Sequence, residues 1–208
     1  MGFSDNNGVV VIQYNAGNIQ SVLFALERIG IQAVVTDNHE EIKKAARVIF
    51  PGVGEASSAM KYLKERKLDE VIINLQQPVL GICLGMQLLC KYSEENNTRC
   101  LGIFDEESKY FDLSQESARE DRNFKIPQIG WNNIYDLKSD LFKGIPENSY
   151  CYFVHSYFAD LGKHTIATTN HGKQYSSALQ KNNFYGVQFH PEKSAEVGER
   201  ILRNFTEI

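Results

Sequence analysis

The stretch Gly81-Ile82-Cys83-Leu84-Gly85-Met86-Gln87 decides how this chain is read. An apolar run, 78–82, leads into a cysteine with a glycine on either side, and a helix-forming run, 84–92, follows at once. The pattern predicts a strand, a tight turn with Cys83 at its apex, and a helix directly behind it. Such a turn exposes the thiol at the edge of a sheet. It also places the sulfur near a helix N-terminus, where the positive end of the dipole favours thiolate over thiol. It is the sulfur counterpart of the Gly-x-Ser-x-Gly nucleophile elbow.

On the N-terminal side of this turn, strand-like and helix-like segments alternate. Residues 9–13 form a continuous apolar run, typical of a strand covered on both faces. Asn18 can cap a helix that runs to residue 29 and is stopped by Gly30. A second strand is expected at 31–35, and a short helix capped by Asp37 or Asn38 at 40–46. A third strand at 47–50 ends on Pro51-Gly52, and helical segments follow over 56–75. Strands spaced by helices predict a parallel sheet with right-handed crossovers. Ligands in such sheets sit at the carboxyl ends of the strands, which points to residues 14–18, 51–54 and Cys83.

The C-terminal side differs. Residues 105–123 are polar and charged, and predict an exposed excursion in the form of an irregular hairpin. Strands are expected at 150–158, 165–169, 176–180 and 184–189, close enough together to pair antiparallel. An amphipathic helix at 194–205 closes the chain. The predicted fold is α/β: a mostly parallel central sheet, flanking helices and an antiparallel C-terminal portion, in one domain spanning 1–208.

With 208 residues, 42% of them hydrophobic and 23% charged, the chain has the composition of an ordinary globular protein with a full core. The net charge of -4 and the lack of a basic stripe argue against nucleic acid as a partner. No apolar stretch approaches the roughly 20 residues needed to span a bilayer. Residues 1–8 are polar and carry no signal-peptide core, so a cytoplasmic protein is expected. The cysteines Cys83, Cys90, Cys100 and Cys151 show neither a C-x-x-C pair nor zinc-ligand spacing. No histidines are spaced i, i+4 on a helix, and neither a metal nor a cofactor is expected. Cys90, in the helix after Cys83, and Cys100 and Cys151 read as buried structural thiols.

A cysteine nucleophile needs a base, a group that orients the base, and an oxyanion hole. His190 ends the strand at 184–189, Pro191 stops that strand, and Glu192 lies two residues on. The spacing alone is equally that of a surface His beside a surface Glu. Beside the Cys83 turn it reads as a base and its orienter. Backbone donors for an oxyanion are the N–H of Leu84 and an N–H from Gly52 or Val53 in Pro51-Gly52-Val53-Gly54. That glycine-rich turn lacks the Gly-Lys-Ser/Thr ending of a phosphate loop. His39, His164 and His171 read as solvent-exposed, and His155 is left open.

Taken together and in order, these residues resemble the class I, triad-type glutamine amidotransferases. Gly81 to Gln87 looks like that family's nucleophile motif, Phe189-His190-Pro191-Glu192 like its second motif, and Pro51 to Gly54 like its oxyanion turn. Within the family, four stretches resemble the glutaminase subunits of imidazole glycerol phosphate synthase. These are Tyr14-Asn15-Ala16-Gly17-Asn18, Gly130-Trp131-Asn132, Phe153-Val154-His155-Ser156-Tyr157 and Lys193-Ser194. The resemblance implies a flavodoxin-like fold and glutamine as substrate. It implies Cys83, His190 and Glu192 as the triad, with Gly52, Val53, Leu84, Gln87, Ser156 and Tyr157 holding the substrate. It further implies a (β/α)8-barrel cyclase as heterodimer partner, receiving ammonia across an interface that includes Asn15, Asn18, Trp131 and Lys193. Trp131, the single tryptophan, is as well suited to a core as to that interface. Gln128 and Ile129 depart from the residues usual in that subunit. They leave open a paralogue that feeds another synthase, and a non-catalytic binding subunit is the reading from a different class.

Overall fold

The computed structural model describes residues 8–15, 18–112 and 125–208. Its first half runs β1 (Val9–Ile12), α1 (Ile19–Arg28), β2 (Ala33–Thr36), α2 (His39–Lys44), β3 (Arg47–Phe50), α3 (Ala56–Glu65), α4 (Leu68–Ile73), β4 (Val79–Ile82) and α5 (Leu84–Leu89). The second half adds β5 (Tyr92–Ser93), β6 (Thr98–Arg99), β7 (Glu107–Tyr110), β8 (Gln128–Ile134), β9 (Ser149–His155), β10 (Tyr157–Ala159), β11 (Thr165–His171), β12 (Lys173–Lys181), β13 (Phe184–Val187) and α6 (Ala195–Glu207).

Among the described residues the main sheet has the strand order β2-β1-β3-β4-β13-β12-β10-β7-β5-β6, with β11 on β12. Its first five strands are parallel. β13 is the pivot: it is parallel to β4 on one side and antiparallel to β12 on the other. β8 and β9 form a separate two-stranded sheet.

β1 shows why the parallel half is so apolar. All four residues are buried, and they alternate between two cores. Val9 and Val11 pack on the side of α1 and α6, Val10 and Ile12 on the side of α2 to α5. Each such side chain contributes about 1.5–3 kcal/mol when fully buried.

Several expectations change in three dimensions. The predicted helical stretch 56–75 is two helices, because Lys67 adopts a left-handed φ of 55°. The turn redirects the chain so that Leu68, Val71 and Ile72 return to the core. The predicted helix 84–92 stops at Leu89, and Cys90 is extended, with ψ 171°. The last carbonyls of α5 are instead satisfied by the following loop: Leu101 donates to Leu88, and Ile103 and Phe104 to Leu89. The predicted strand 150–158 breaks at Ser156, with β9 in the small sheet and β10 in the large one.

The charged segment is not wholly an exposed excursion, since β7 joins the main sheet between β10 and β5. Glu106 is buried, and its carboxylate meets His164 Nδ1 at 2.8 Å. His164 is therefore not a surface residue. A sequence-distant carboxylate satisfies its ring and removes the penalty for burying it. Residues 16–17 and 113–124 lie outside the described residues, as does the part of the predicted excursion that falls on 113–123.

His155 is buried against aromatic rings, with Tyr175 at 5.4 Å, Phe111 at 5.5 Å and Phe153 at 5.7 Å between ring centroids. Burial pulls its pKa from 6.5 to about 3, against the opposing pull of the Tyr157 carbonyl it bonds; the His171 and His190 charges add to the fall. Between these two values the unfolded chain takes up a proton that the folded chain refuses. Stability should therefore hold above pH 6.5 and fall as the pH drops below it, by about 1.4 kcal/mol per unit from this group. Denaturant titrations of the wild type and His155→Gln from pH 7.5 to 4 check this. The variant should show the shallower acid slope, and equal slopes would place the titrating group elsewhere.

Candidate active site

Cys83 stands between the end of β4 and the start of α5, with φ 52° and ψ -110°. A non-glycine residue held there stores of order 1–3 kcal/mol. Two contacts hold it. Its N–H donates to the Val187 carbonyl at 2.8 Å, and α5 is clamped behind it. A Cβ on Gly85 would collide with the Phe50 carbonyl, so only glycine lets the helix approach β3 this closely. The thiol opens into a cavity of about 350 Å³ at the carboxyl end of the sheet.

The parallel register of β4 and β13 pairs Ile82 with Val187 and so brings His190 to the same end. The His190 N–H donates to the Tyr152 carbonyl at 2.8 Å, and Pro191 starts a 3-10 turn, Pro191–Lys193. That turn folds Glu192 back, and its Oε1 lies 2.8 Å from His190 Nδ1. A carboxylate can only accept, so Nδ1 carries the proton and Nε2 is left for the side of Cys83. Burial pulls the His190 pKa down. The charge and hydrogen bond of the Cys83 sulfur, with the hydrogen bond and charge of Glu192, overcome this and lift it to about 10. The arrangement is that of a thiol beside an imidazole that a buried carboxylate orients.

Asn18 supplies a contact that its sequence position conceals. It precedes α1 but makes no side-chain cap bond, and its φ is 76°. Its Nδ2 instead donates to Glu192 Oε1 at 2.8 Å. Glu192 Oε1 thus accepts from both Asn18 and His190, while buried Oε2 has no partner among the described residues.

The expected oxyanion donor is not open. The Leu84 N–H donates to the Gly52 carbonyl at 3.2 Å. The turn carrying that carbonyl is held by Tyr14, whose hydroxyl donates to the Pro51 carbonyl at 2.6 Å. A Cβ on Gly52 would press on the Tyr14 hydroxyl, the Gly85 nitrogen and Leu84 Cβ. Val53 reaches the cavity wall, as do Leu84, Ser156 and Tyr157. Gln87 also lines it, with Nε2 donating to the Tyr157 carbonyl at 2.9 Å and to Gln188 Oε1 at 3.0 Å.

One cavity residue had no signal in the sequence. Glu95 lines the wall, and its Oε2 accepts from the Ala56 N–H at 2.7 Å, at the start of α3. Burial raises its pKa, the Ala56 hydrogen bond opposes this and the Glu55 charge adds to it. No motif spacing marks Glu95, because it reaches the cavity only through the fold of the loop after α5.

Trp131 does not lie in a core: it is 53% exposed, with its ring edge-on to Tyr152 at 5.9 Å. Ile129 and Tyr150 are exposed on the same small sheet, and Lys193 Nζ lies 6.0 Å from the Tyr152 ring centroid. Alternation along β9 turns Cys151, Phe153 and His155 inward and Tyr150, Tyr152 and Val154 outward. Val154 lines the cavity, so the outward face of the small sheet runs from the cavity mouth to Trp131. Asn15 is exposed, with Nδ2 donating to the Ser58 carbonyl at 3.4 Å.

Comparison with known proteins adds the lineage. A Bacteroides fragilis protein named imidazole glycerol phosphate synthase subunit HisH is 54% identical over 200 residues, covering 96% of this chain and 99% of that protein. A Haemophilus influenzae protein of the same name is 44% identical, covering 96% of each. Among solved structures, PurLQS from Thermotoga maritima shares the fold with a TM-score of 0.70 at 14% identity, covering 98% of this chain and 99% of that one. A glutamine amidotransferase from the same organism has a TM-score of 0.61 at 20% identity, covering 98% and 84%. Residues 10–208 match the family described as glutamine amidotransferase class-I, and the chain belongs to that family.

Proposed function

We propose that this chain is the glutaminase subunit of an imidazole glycerol phosphate synthase, hydrolysing glutamine to glutamate and ammonia. The observation that carries the reading is the buried Cys83–His190–Glu192 cluster opening into one cavity, in a chain 54% identical to a protein named as that subunit. The Cys83 sulfur attacks the carboxamide carbon of glutamine. His190 Nε2 gives its proton to the departing nitrogen, and ammonia leaves. A glutamyl thioester remains on Cys83, and water, deprotonated by His190, hydrolyses it to glutamate. Glu192, held by Asn18, keeps the imidazole in the tautomer that faces sulfur. Gly52, Val53, Leu84, Gln87, Ser156 and Tyr157 hold the substrate, and the Glu95 carboxylate meets its cationic α-amino group.

The Leu84–Gly52 hydrogen bond leaves the oxyanion without its first donor. Turnover therefore requires the Gly52-Val53 peptide to turn, which frees the Leu84 N–H. A glutaminase gated in this way works when a partner is in place, and ammonia kept out of water stays unprotonated and nucleophilic. The outward face of the small sheet, with Trp131 exposed on it and Lys193 at the cavity wall, suits that partner, and Asn15 and Asn18 complete the proposed interface. We assign the partner as the (β/α)8-barrel cyclase of the synthase. No helix among the described residues is long and apolar enough to cross a membrane, and a biosynthetic role fits a cytoplasmic location.

In a complex reconstituted with the cyclase, Cys83→Ala should abolish glutamine-driven synthesis and leave ammonium-driven synthesis intact. Surviving glutamine use would remove Cys83 as the nucleophile. Asn18→Ala deletes a hydrogen bond to a buried carboxylate, worth about 1.5–3 kcal/mol, so kcat/KM for glutamine at saturating partner should fall roughly tenfold to a hundredfold. Trp131→Ala should weaken assembly roughly thirtyfold in a titration of the two subunits, as for a central aromatic anchor worth about 2 kcal/mol. Unaltered affinity would move the interface off this face.

A further inference from the structure

Gln188 follows β13 directly, is completely buried, and was not singled out by its sequence context. Its backbone is fixed by an N–H to the Ser177 carbonyl at 2.8 Å. The β4–β13 register sets it beside Cys83, and its Nε2 lies 3.7 Å from the Cys83 sulfur. Which end of a carboxamide faces a neighbour is decided by the hydrogen-bond network around it. Here the network permits one answer.

The chain of constraints begins at the Tyr157 carbonyl, which can only accept. It takes a hydrogen bond from Gln87 Nε2 at 2.9 Å and another from His155 Nδ1 at 2.7 Å. Gln87 must therefore present its NH2 end on this side, and the same NH2 lies 3.0 Å from Gln188 Oε1. Turning Gln188 over would set two NH2 groups face to face in a buried site. Gln188 must point its oxygen at Gln87 and its nitrogen at the sulfur.

A second contact shows why a donor matters there. The Val154 carbonyl lies 3.8 Å from the Cys83 sulfur, where a neutral thiol can donate to it. That carbonyl favours the thiol and repels the thiolate. An N–H from Gln188 favours the charged form, since hydrogen bonds to an ion are stronger than those to a neutral group. We propose that Gln188 is a positioning residue for the nucleophile: its amide, polarised by Gln87 and the Tyr157 carbonyl, donates to the Cys83 sulfur and holds it as a thiolate against the Val154 carbonyl. The relay also ties the substrate wall at Tyr157 to the reacting atom through two side chains. The inference rests on Cys83 being the nucleophile of the proposed glutaminase.

The test reads the sulfur directly and uses no glutamine. Alkylation of Cys83 by iodoacetamide is followed by peptide mass spectrometry from pH 5 to 10 in the full chain. The titratable groups that act on this sulfur are His190, Tyr14 and Tyr175, with Glu192 behind His190, and all are kept. Gln188→Met has a similar length but offers the sulfur neither a donor nor a charge. Its alkylation midpoint should rise by about one pH unit, with about a tenfold slower reaction at neutral pH. Gln87→Met does not touch the sulfur. It removes the NH2 that orients Gln188, frees that amide to turn over and should move the midpoint in the same direction, which keeps the test alive if Gln188→Met does not fold. A purely structural Gln188 would lower the melting temperature and leave the midpoint in place. An unchanged midpoint in a folded variant overturns the proposal. Glutamine turnover by Cys83→Ala would instead overturn the nucleophile assignment, so the two failures are distinct.

Discussion

The parallel pairing of β4 with β13 is the contact on which the rest of the site depends. Its register sets Ile82 against Val187, and the next residue on each strand is then Cys83 on one side and Gln188 on the other. The Cys83 N–H completes the ladder by donating to Val187. From there the two strands diverge into different turns. β4 gives way to α5 through a left-handed Cys83, and β13 gives way to the His190-Pro191-Glu192 turn. Cys83 and His190 are over a hundred residues apart in the chain and become neighbours through one line of backbone hydrogen bonds. A slip of one residue would turn every side chain of β13 to the opposite face and dismantle the site.

Close packing keeps this arrangement rigid. α5 lies against the sheet so tightly that Gly81, Gly85 and Gly186 have no room for a Cβ. Gly198 plays the same part behind the other turn, where a Cβ would collide with the Pro191 carbonyl. The strained backbone of Cys83 is held from the front by the ladder and from behind by α5. The polar groups show the same economy of geometry. Glu192 accepts from His190 and Asn18, and the Tyr157 carbonyl accepts from His155 and Gln87. In each case an atom that can only accept sets the orientation of groups that could otherwise turn over. The tautomer of His190 and the polarity of Gln188 follow from two acceptors.

Much of the parallel half was readable from the chain. β3 occupies the predicted 47–50, and Asn38 caps α2 by accepting from the Glu40 and Glu41 N–H groups. These features are local: a burial pattern, a cap, a glycine stop. Where reading failed, the deciding contact came from elsewhere in the chain. The break at Ser156 is invisible because both halves of 150–158 alternate in the manner of strands, while membership of a sheet is set by β8 and β7. His164 read as solvent-exposed because Glu106, far back in the sequence, is what makes its burial tolerable. Asn18 occupies a cap position, yet its amide goes to Glu192 because the 190–194 turn brings that carboxylate within reach.

Composition, hydrophobic period and three short motifs were enough for the α/β class, the thiol at a strand end and the histidine–glutamate pair, because each depends on residues within a few positions of one another. The state of the oxyanion donors, the aromatic wall around His155, the entry of Glu95 into the cavity and the alignment of Gln188 on the sulfur required the folded chain. They depend on distances of about 3 Å between segments far apart in sequence. Such distances are set by strand register and by the volume of the glycines, quantities that exist only once the layers have packed.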